Sequence, residues 1–315
     1  MKYAAVGNFI TNRLQFVDGR VVNDVMGGTA YGIEGLRLWH DDSSIICGAG
    51  TDMDKHYGAW FEKNHLSREG IRLLTDHTTY NYVQYRPDGT YYENSIVGTK
   101  VYGWNNFGYL TPTAADVERV CGGIVGLNIC RGLDHFFWSE IGKLKNSHCF
   151  KVMWEIGTSC CVPENLERIL DTLQYVDYFS INLPETKSLF GVETEEECLA
   201  KLKELDVEFT LFRVGEKGLY SIAGDQHWFV PCLRWDGDIV DPTGCGNSST
   251  ATALVALCEG EDPIMAGIMA NITAHYNVRQ YGPVFDMSHE LRDEMTALAK
   301  KLRAEYPDQP APLCQ

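Results

Sequence analysis

Short apolar segments alternate with helical segments along much of this 315-residue chain, and this alternation limits the fold more than any other feature. The apolar segments are rich in β-branched or aromatic residues and lie at Tyr3–Val6, Ser44–Cys47, Phe150–Trp154, Tyr178–Ile181 and Glu208–Val214. Helical segments lie between several of them, at Ala115–Cys121, Pro163–Leu173, Lys187–Phe190 and Glu195–Leu205. The pattern predicts a mainly parallel sheet with helices on both faces and a ligand site at the carboxyl edge of the strands.

Two segments depart from this alternation. Residues 13–25 and 78–97 show the period of two that is typical of strands, and the second contains the turn Arg86-Pro87-Asp88-Gly89. We expect strands at about 12–26 and 77–98, inserted in a single domain that spans residues 1–315. A hydrophobic content of 44% is enough to build the core of one such domain. An ordinary surface hairpin is the alternative for the second segment.

A glycine-rich turn at residues 241–247 leads directly into a predicted helix of small residues, Ser248–Leu257. Gly244 and Gly246 allow the backbone to approach a ligand closely, and the first N–H groups of the helix favour an anion such as phosphate. The dinucleotide fingerprint would need a third glycine where Ser249 stands, and the P-loop would need a Gly-Lys-Ser/Thr ending that is missing. A tight loop without a ligand is the competing interpretation.

The turn, Asp241-Pro242-Thr243-Gly244-Cys245-Gly246-Asn247, resembles the signature Asp-Thr-x-Gly-Ala-Gly-Asp of the ribokinase (PfkB-type) family of carbohydrate and nucleoside kinases. Further resemblances occur along the chain in the order of the family, at Ala4–Asn8, Gly27-Gly28, Ile45–Asp52, Asn182-x-x-Glu185, Leu211–Gly218 and Ala270-Asn271. The resemblance implies a ribokinase-like, doubly wound α/β fold with a small β-sheet lid. It also implies a kinase that uses Mg²⁺ and has ATP as co-substrate.

The resemblance implies a role for each matching residue. Gly244, Cys245 and Gly246 would hold the transferred phosphoryl group, and Asn247 would stand at the position of the catalytic base. The nucleotide would be bordered by Asn182, Arg213, Gly215, Lys217, Gly218, Asp241 and Asn271. The acceptor would be approached by Asn12, Gly27, Gly28 and Asp52, and Glu185 would position Mg²⁺ through ordered water. The lid would close over the acceptor and could form a homodimer contact, as it does in many relatives.

Two asparagines stand where the family has aspartates. Asn247 can accept a hydrogen bond but cannot take a proton at neutral pH, and general base catalysis is typically worth about 10²- to 10⁴-fold. Three alternatives follow: a slow kinase, a kinase with a relocated base, and a protein that binds nucleotide or sugar without transferring phosphate. Asn12 stands where the family has an aspartate that binds sugar hydroxyls. This replacement favours either an anionic acceptor or a pocket that has changed because transfer is no longer selected.

Composition narrows the partners. The net charge of −16 disfavours binding to nucleic acid and to anionic membranes, and no run of about eighteen apolar residues indicates a membrane span. The chain enters a predicted strand at Tyr3 without a signal peptide, and its eleven cysteines show no metal or disulfide pattern, so we expect a cytoplasmic protein. A nicotinamide-dependent dehydrogenase is disfavoured because Gly7-Asn8-Phe9-Ile10 holds one glycine only.

Overall fold

A nine-stranded sheet forms the centre of the computed structural model, which describes residues 2–87, 91–97, 106–234, 237 and 239–306. In chain order the strands are β1 Tyr3–Val6, β2 Phe9–Gln15, β3 Val21–Gly28, β4 Ser43–Gly50, β5 Ile71–Thr75, β6 Thr79–Tyr85, β7 Tyr91–Val97, β8 Gly126–Cys130, β9 Lys151–Glu155, β10 Tyr178–Asn182, β11 Phe209–Arg213, β12 Gly218–Ala223 and β13 Gln226–Pro231. The central sheet has the order β13-β12-β11-β10-β9-β8-β1-β4-β5. Its neighbouring strands pair in parallel except for the two pairs that contain β12: β12 is antiparallel to both β11 and β13.

Helices cover both faces of the central sheet. They are α1 Ala30–Arg37, α2 Met53–Lys63, α3 Asn106–Leu110, α4 Ala114–Val120, α5 His135–His148, α6 Leu166–Leu173, α7 Leu183–Phe190, α8 Glu195–Lys203, α9 Cys245–Cys258, α10 Pro263–Asn277 and α11 His289–Ala304. The predicted mainly parallel sheet with helices on both faces is confirmed.

None of these described helices is long and apolar enough to cross a membrane.

Successive residues of each buried strand contribute to two different cores. Tyr3 and Ala5 pack into the core that contains α1, α9 and α10, whereas Ala4 and Val6 pack into the core that contains α4 to α8. Because side chains alternate across a strand, a strand buried on both faces is a continuous apolar run. This is why the short apolar segments identify the central strands.

Four strands form a separate small sheet in the order β3-β2-β6-β7, referred to below as the small sheet. Strands β2 and β6 pair in parallel, and the two outer pairs are antiparallel. Leu14, Val25 and Val83 form its buried core. The separate sheet agrees with the prediction, although β2 begins earlier, at Phe9, and β3 ends later, at Gly28. Residues 88–90 and 98 of the predicted turn and strand lie outside the described residues.

A buried glutamate on α1 gives the fold a pH-dependent stability. Glu34 is 0% exposed, and its Oε1 accepts a hydrogen bond from the N–H of Val284 at 3.0 Å. Burial raises the pKa of Glu34 from its ordinary 4.5 to about 8. Between these values the unfolded chain releases a proton that the folded chain keeps, so stability should fall by about 1.4 kcal/mol for each pH unit.

Glu34→Gln should remove this slope, because glutamine keeps the accepting oxygen and does not titrate. The measurement is the free energy of unfolding in urea, taken from acid to mildly alkaline pH for the wild type and the variant. The matched control is Glu204→Gln at an exposed ion pair with Lys201, which should keep the wild-type slope. Equal slopes in the wild type and Glu34→Gln would contradict the prediction.

Candidate active site at the carboxyl edge of the central sheet

The first turn of α9 lies at the carboxyl ends of the central strands, where the sequence predicts an anion cradle. Gly244 precedes the helix with a φ of 86°, a left-handed conformation that favours glycine. A Cβ atom there would stand 2.2 Å from the ring of Tyr31, which is 2% exposed. Glycine is thus required at this position both by the backbone and by the packing.

Small residues bring α9 close to α1. A Cβ atom at Gly35 would lie 2.0 Å from the carbonyl oxygen of Ser248, and Thr252 donates to the carbonyl of Gly35 at 2.9 Å. The N–H of Cys245 donates to Pro242 at 3.3 Å, and that of Ser248 donates to Gly244 at 2.9 Å. The N–H groups of Gly246 and Asn247, which lie between them, are too near the start of the helix to bond within it. Burial raises the pKa of the Cys245 thiol to about 12, so this residue is neutral.

An arginine lies against the cradle. Arg213 ends β11, its side chain is 16% exposed, and a Cβ atom at Gly246 would stand 1.8 Å from its Nη1. A positive charge beside the positive end of a helix is unfavourable unless an anion is close. The structure therefore brings two predicted residues, Arg213 and Gly246, into contact at the N-terminal end of α9.

Glu155 supplies that anion within the chain. It ends β9, and its Oε1 lies 3.3 Å from Nη1 of Arg213 while its Oε2 accepts a hydrogen bond from Nδ2 of Asn247 at 2.8 Å. Burial raises the pKa of Glu155 above its ordinary value, and Arg213 opposes part of that rise. Sequence reasoning missed this residue. The available signal was a glutamate directly after the apolar segment Phe150–Trp154.

Asp241 is buried at the start of the glycine-rich turn. Its Oδ1 accepts from the N–H of Thr243 at 3.0 Å, and its Oδ2 is buried without a hydrogen-bond partner among the described residues. Burial raises the pKa of Asp241 above the usual range of an aspartate. The turn also contacts the small sheet, because the hydroxyl groups of Tyr85 and Thr243 lie 2.6 Å apart.

Asn182 and Glu185 form a capping box at the start of α7. Oδ1 of Asn182 accepts from the N–H of Glu185, and Oε2 of Glu185 accepts from the N–H of Asn182, both at 2.9 Å. The Thr158 hydroxyl donates to Oε1 of Glu185 at 2.7 Å. Both residues thus stabilise the helix terminus at the carboxyl end of β10.

The residues predicted to border the nucleotide have several contacts of their own. Gly215 and Gly218 have φ values of 67° and 135° at a tight turn between β11 and β12. Lys217 is mostly exposed and forms an ion pair with Glu195 at 3.1 Å. Asn271 is buried on α10, and its Nδ2 donates to the carbonyls of Val230 and Pro231, both at 3.0 Å.

The residues predicted to approach the acceptor lie on or beside the small sheet. Asn12 is buried on β2, and a Cβ atom at Gly27 on β3 would meet its Nδ2 at 2.3 Å. Gly28 has a φ of 60° and abuts the carbonyl of Asn8. Asp52, at the start of α2, accepts from the N–H of Thr78 at 2.7 Å, next to β6.

The described cysteines are free thiols, including the neighbours Cys160 and Cys161. Within the described ranges, no group of three or more His, Cys, Asp or Glu side chains is arranged to hold a metal ion. Magnesium in nucleotide enzymes is commonly held by one or two carboxylates together with the phosphates of the substrate. The unpartnered Oδ2 of Asp241 suits that kind of site.

Comparison with known proteins identifies the fold of the chain. Residues 111–290 match the sequence profile described as pfkB family carbohydrate kinase. The structure resembles adenosine kinase from Sinorhizobium meliloti (TM-score 0.73, 15% identity, covering 93% of this chain and 99% of that one). It also resembles Arabidopsis thaliana ribokinase complexed with ribose and ATP (TM-score 0.72, 18% identity, covering 95% and 98%). A 2-dehydro-3-deoxygluconokinase from Thermoproteus tenax is 31% identical over 96 residues, or 30% of this chain and 29% of that protein.

Proposed function

The chain belongs to the pfkB family of carbohydrate kinases, and from that premise we propose that it transfers the γ-phosphoryl group of magnesium ATP to a hydroxyl group of a small sugar-like acceptor. One observation carries the proposal. The glycine turn places the first turn of α9 at the carboxyl edge of the sheet, with the Arg213 guanidinium against Gly246. Helix N–H groups and a guanidinium stabilise the charge of a phosphoryl group in transfer.

The donor would lie across the ends of β10 and β11. In this proposal Gly244, Cys245 and Gly246 hold the γ-phosphoryl group, and Arg213 binds it from the side. Asn182, Gly215, Lys217, Gly218 and Asn271 border the rest of the nucleotide. Because Lys217 and Asn271 already bind other residues, we expect them to shape the nucleotide site more than to contact its phosphates.

The metal would lie between the donor phosphates and the carboxylates. Asp241 would face it with the buried Oδ2, and Glu185 would act through ordered water while it keeps the capping box with Asn182. Held by these residues, magnesium would supply positive charge to offset the negative charge that develops during transfer.

The acceptor would lie between the cradle and the small sheet, near Asn12, Gly27, Gly28 and Asp52. In this proposal the small sheet is a lid that closes over the acceptor and excludes water. Asn12 and Asn247 carry no charge, and Arg213 is positive, which favours an acceptor with a negative group such as a sugar acid. The similarity to a 2-dehydro-3-deoxygluconokinase supports testing that class first.

We further propose that residues 1–315 form one domain and that the protein is cytoplasmic. The small sheet could form the contact surface of a homodimer. The net charge of −16 supports small-molecule partners over nucleic acid or membranes.

A second function is favoured by one specific observation, the amide at position 247. An asparagine cannot hold a proton at neutral pH, so the chain could bind nucleotide or sugar as a sensor without turnover. Such a protein would be stabilised thermally by magnesium ATP and by the sugar, with no acceptor-dependent consumption of ATP.

The test is transfer of labelled γ-phosphate from magnesium ATP to 2-dehydro-3-deoxygluconate, ribose and adenosine, with the wild type beside Asn247→Asp. We expect the wild type to phosphorylate at least one acceptor. Reactions without acceptor are the control, because they measure hydrolysis alone. No transfer by the wild type, together with transfer by Asn247→Asp, would support the sensor. Faster transfer to ribose and adenosine than to the acid would contradict an anionic acceptor.

A further inference from the structure

Glu155 is a buried carboxylate to which the roles above assign no function. Its side chain is 7% exposed, and its two oxygens face Arg213 and Asn247. Removing a charge from water costs free energy, and titratable groups in a cleft with shifted pKa values are candidates for a catalytic role. The location of Glu155 beside the residue at the family's base position makes its chemistry relevant to the reaction.

The contact with Glu155 decides which way the amide of Asn247 faces. An amide has one donor end and one acceptor end. Because Nδ2 donates to Oε2 of Glu155 at 2.8 Å, the carbonyl oxygen Oδ1 is turned away from Glu155. An acceptor bound beside the cradle can then donate its hydroxyl hydrogen to Oδ1. Asn247 thus connects the acceptor hydroxyl to a carboxylate that is able to hold a proton.

The groups around Glu155 determine how readily it takes that proton. Burial raises its pKa, Arg213 at the end of β11 lowers it, Glu185 on α7 raises it, and the hydrogen bond from Asn247 on α9 lowers it. The buried thiol of Cys130, at the end of β8, faces the same carboxylate, and burial raises the pKa of this thiol to about 12. It therefore stays neutral.

Binding of the donor changes this balance. Arg213 lies against Gly246, so a phosphate in the cradle competes with Glu155 for the guanidinium. Each contact that Arg213 makes to phosphate weakens the attraction that keeps Glu155 ionised. Glu155 becomes a better proton acceptor when the donor is in place, which is when the acceptor hydroxyl must lose its proton.

We propose that Glu155 receives the proton of the acceptor hydroxyl by way of the Asn247 amide, an inference that rests on the function proposed above. The hydroxyl oxygen bonds to the γ-phosphorus while the bond from that phosphorus to the bridging oxygen of ATP breaks. As the hydroxyl proton moves to Oδ1 of Asn247, one Nδ2 proton moves to Oε2 of Glu155 in the same step, so the side chain becomes a neutral imidic acid and never holds an extra proton. When the product leaves, Glu155 returns its proton to Nδ2 and Oδ1 releases the other to water, which restores the amide.

Glu155→Gln separates this role from a structural one. Glutamine keeps an oxygen that can accept from Nδ2 of Asn247, but it cannot take a proton. With magnesium ATP and the best acceptor of the panel, kcat should fall by about 10²- to 10⁴-fold. The KM of the acceptor should change by less than about threefold, and the rise of kcat on the acid side of the pH profile should disappear.

Asn247→Asp in the Glu155→Gln background should restore transfer, because a carboxylate then contacts the hydroxyl directly. Glu208→Gln is the matched control: it removes a carboxylate from an ion pair with Lys151 just before β11, at the opposite edge of the sheet. Its kcat should equal that of the wild type. A wild-type kcat in Glu155→Gln, or a double variant no faster than Glu155→Gln, would overturn the proposal.

A second measurement needs no turnover. Inorganic sulfate is fully ionised near neutral pH and resembles the phosphoryl group, so its binding should draw Arg213 from Glu155 and cause proton uptake. Calorimetry in buffers of different ionisation enthalpy gives the number of protons taken up. We expect uptake by the wild type and none by Glu155→Gln. Equal uptake by both proteins, or none by either, would overturn the role of Glu155.

The two measurements distinguish failure of this inference from failure of the proposed function. If neither the wild type nor Asn247→Asp phosphorylates any acceptor of the panel, the proposed function fails. The sulfate measurement then decides alone whether Glu155 can take a proton in this site.

Discussion

Gly244→Ala should destabilise the protein by about 2–6 kcal/mol and abolish phosphoryl transfer. A left-handed conformation costs a residue with a Cβ atom about 1–3 kcal/mol, and overpacking a tight site costs about 1–3 kcal/mol more. Both apply at Gly244, whose φ is 86° and whose Cβ position is 2.2 Å from the buried ring of Tyr31. The measurement is the free energy of unfolding in urea, together with transfer of labelled phosphate.

Gly260→Ala is the matched control for this substitution. Its φ is 83°, and a Cβ atom there has nothing within 4 Å, so it has the backbone cost without the clash. It should lose only about 1–3 kcal/mol and keep its activity. Equal destabilisation by the two substitutions would show that the Tyr31 ring does not restrict the cradle.

Arg213→Gln should lower stability by about 3–5 kcal/mol, because it leaves the buried carboxylate of Glu155 without its positive partner. The loss should be smallest in acid and should grow as the pH rises. Without arginine the folded pKa of Glu155 increases further, so the folded chain keeps a proton that the unfolded chain releases. Affinity for magnesium ATP should also fall by about 10- to 100-fold, as expected for a lost charged hydrogen bond.

Arg303→Gln is a suitable comparison, since Arg303 is 14% exposed and pairs with Asp262 at 2.7 Å, away from the cradle. It should lose stability and keep its affinity for ATP. The double variant Arg213→Gln/Glu155→Gln should recover stability but not affinity. Full ATP affinity in Arg213→Gln, measured by calorimetry, would show that the guanidinium does not bind the donor.

Five strands of the central sheet could be predicted from sequence because each is a mainly apolar run; they are β1, β4, β9, β10 and β11. Strands β5 and β8 were missed, since Arg72 interrupts the apolar character of β5 and Gly126 and Asn128 interrupt that of β8. Strands β12 and β13 were also missed; β13 lies at the sheet edge and has one buried residue, Val230, so it is not an apolar run. Pro163–Leu173, predicted as one helix, begins with a 3₁₀ turn at Pro163–Asn165 before α6.

Some residues of the candidate site could be predicted from a local segment of sequence, whereas others depend on contacts between distant segments. The cradle could be found because Gly244 and Gly246 lie in a single short segment that leads into a helix, and the backbone conformation of Gly244 favours glycine. Glu155 could not be assigned, because its relation to Arg213 and Asn247 depends on the order of β9, β10 and β11 in the sheet. The neighbours of Lys217 and Asn271 were equally hidden, since Glu195 and Val230 are distant in sequence.

The contact between the small sheet and the glycine-rich turn has a thermodynamic consequence. Tyr85, on β6, stacks on Phe16 with ring centroids 5.1 Å apart, and its hydroxyl lies 2.6 Å from that of Thr243. Under the proposed function, a movement of the small sheet when the sugar binds would alter the turn that binds ATP. By linkage, any factor by which the sugar tightens ATP equals the factor by which ATP tightens the sugar. The Tyr85 hydroxyl would thus contribute to cooperativity between the two ligands. Tyr85→Phe would reduce the factor by which each ligand changes the affinity of the other.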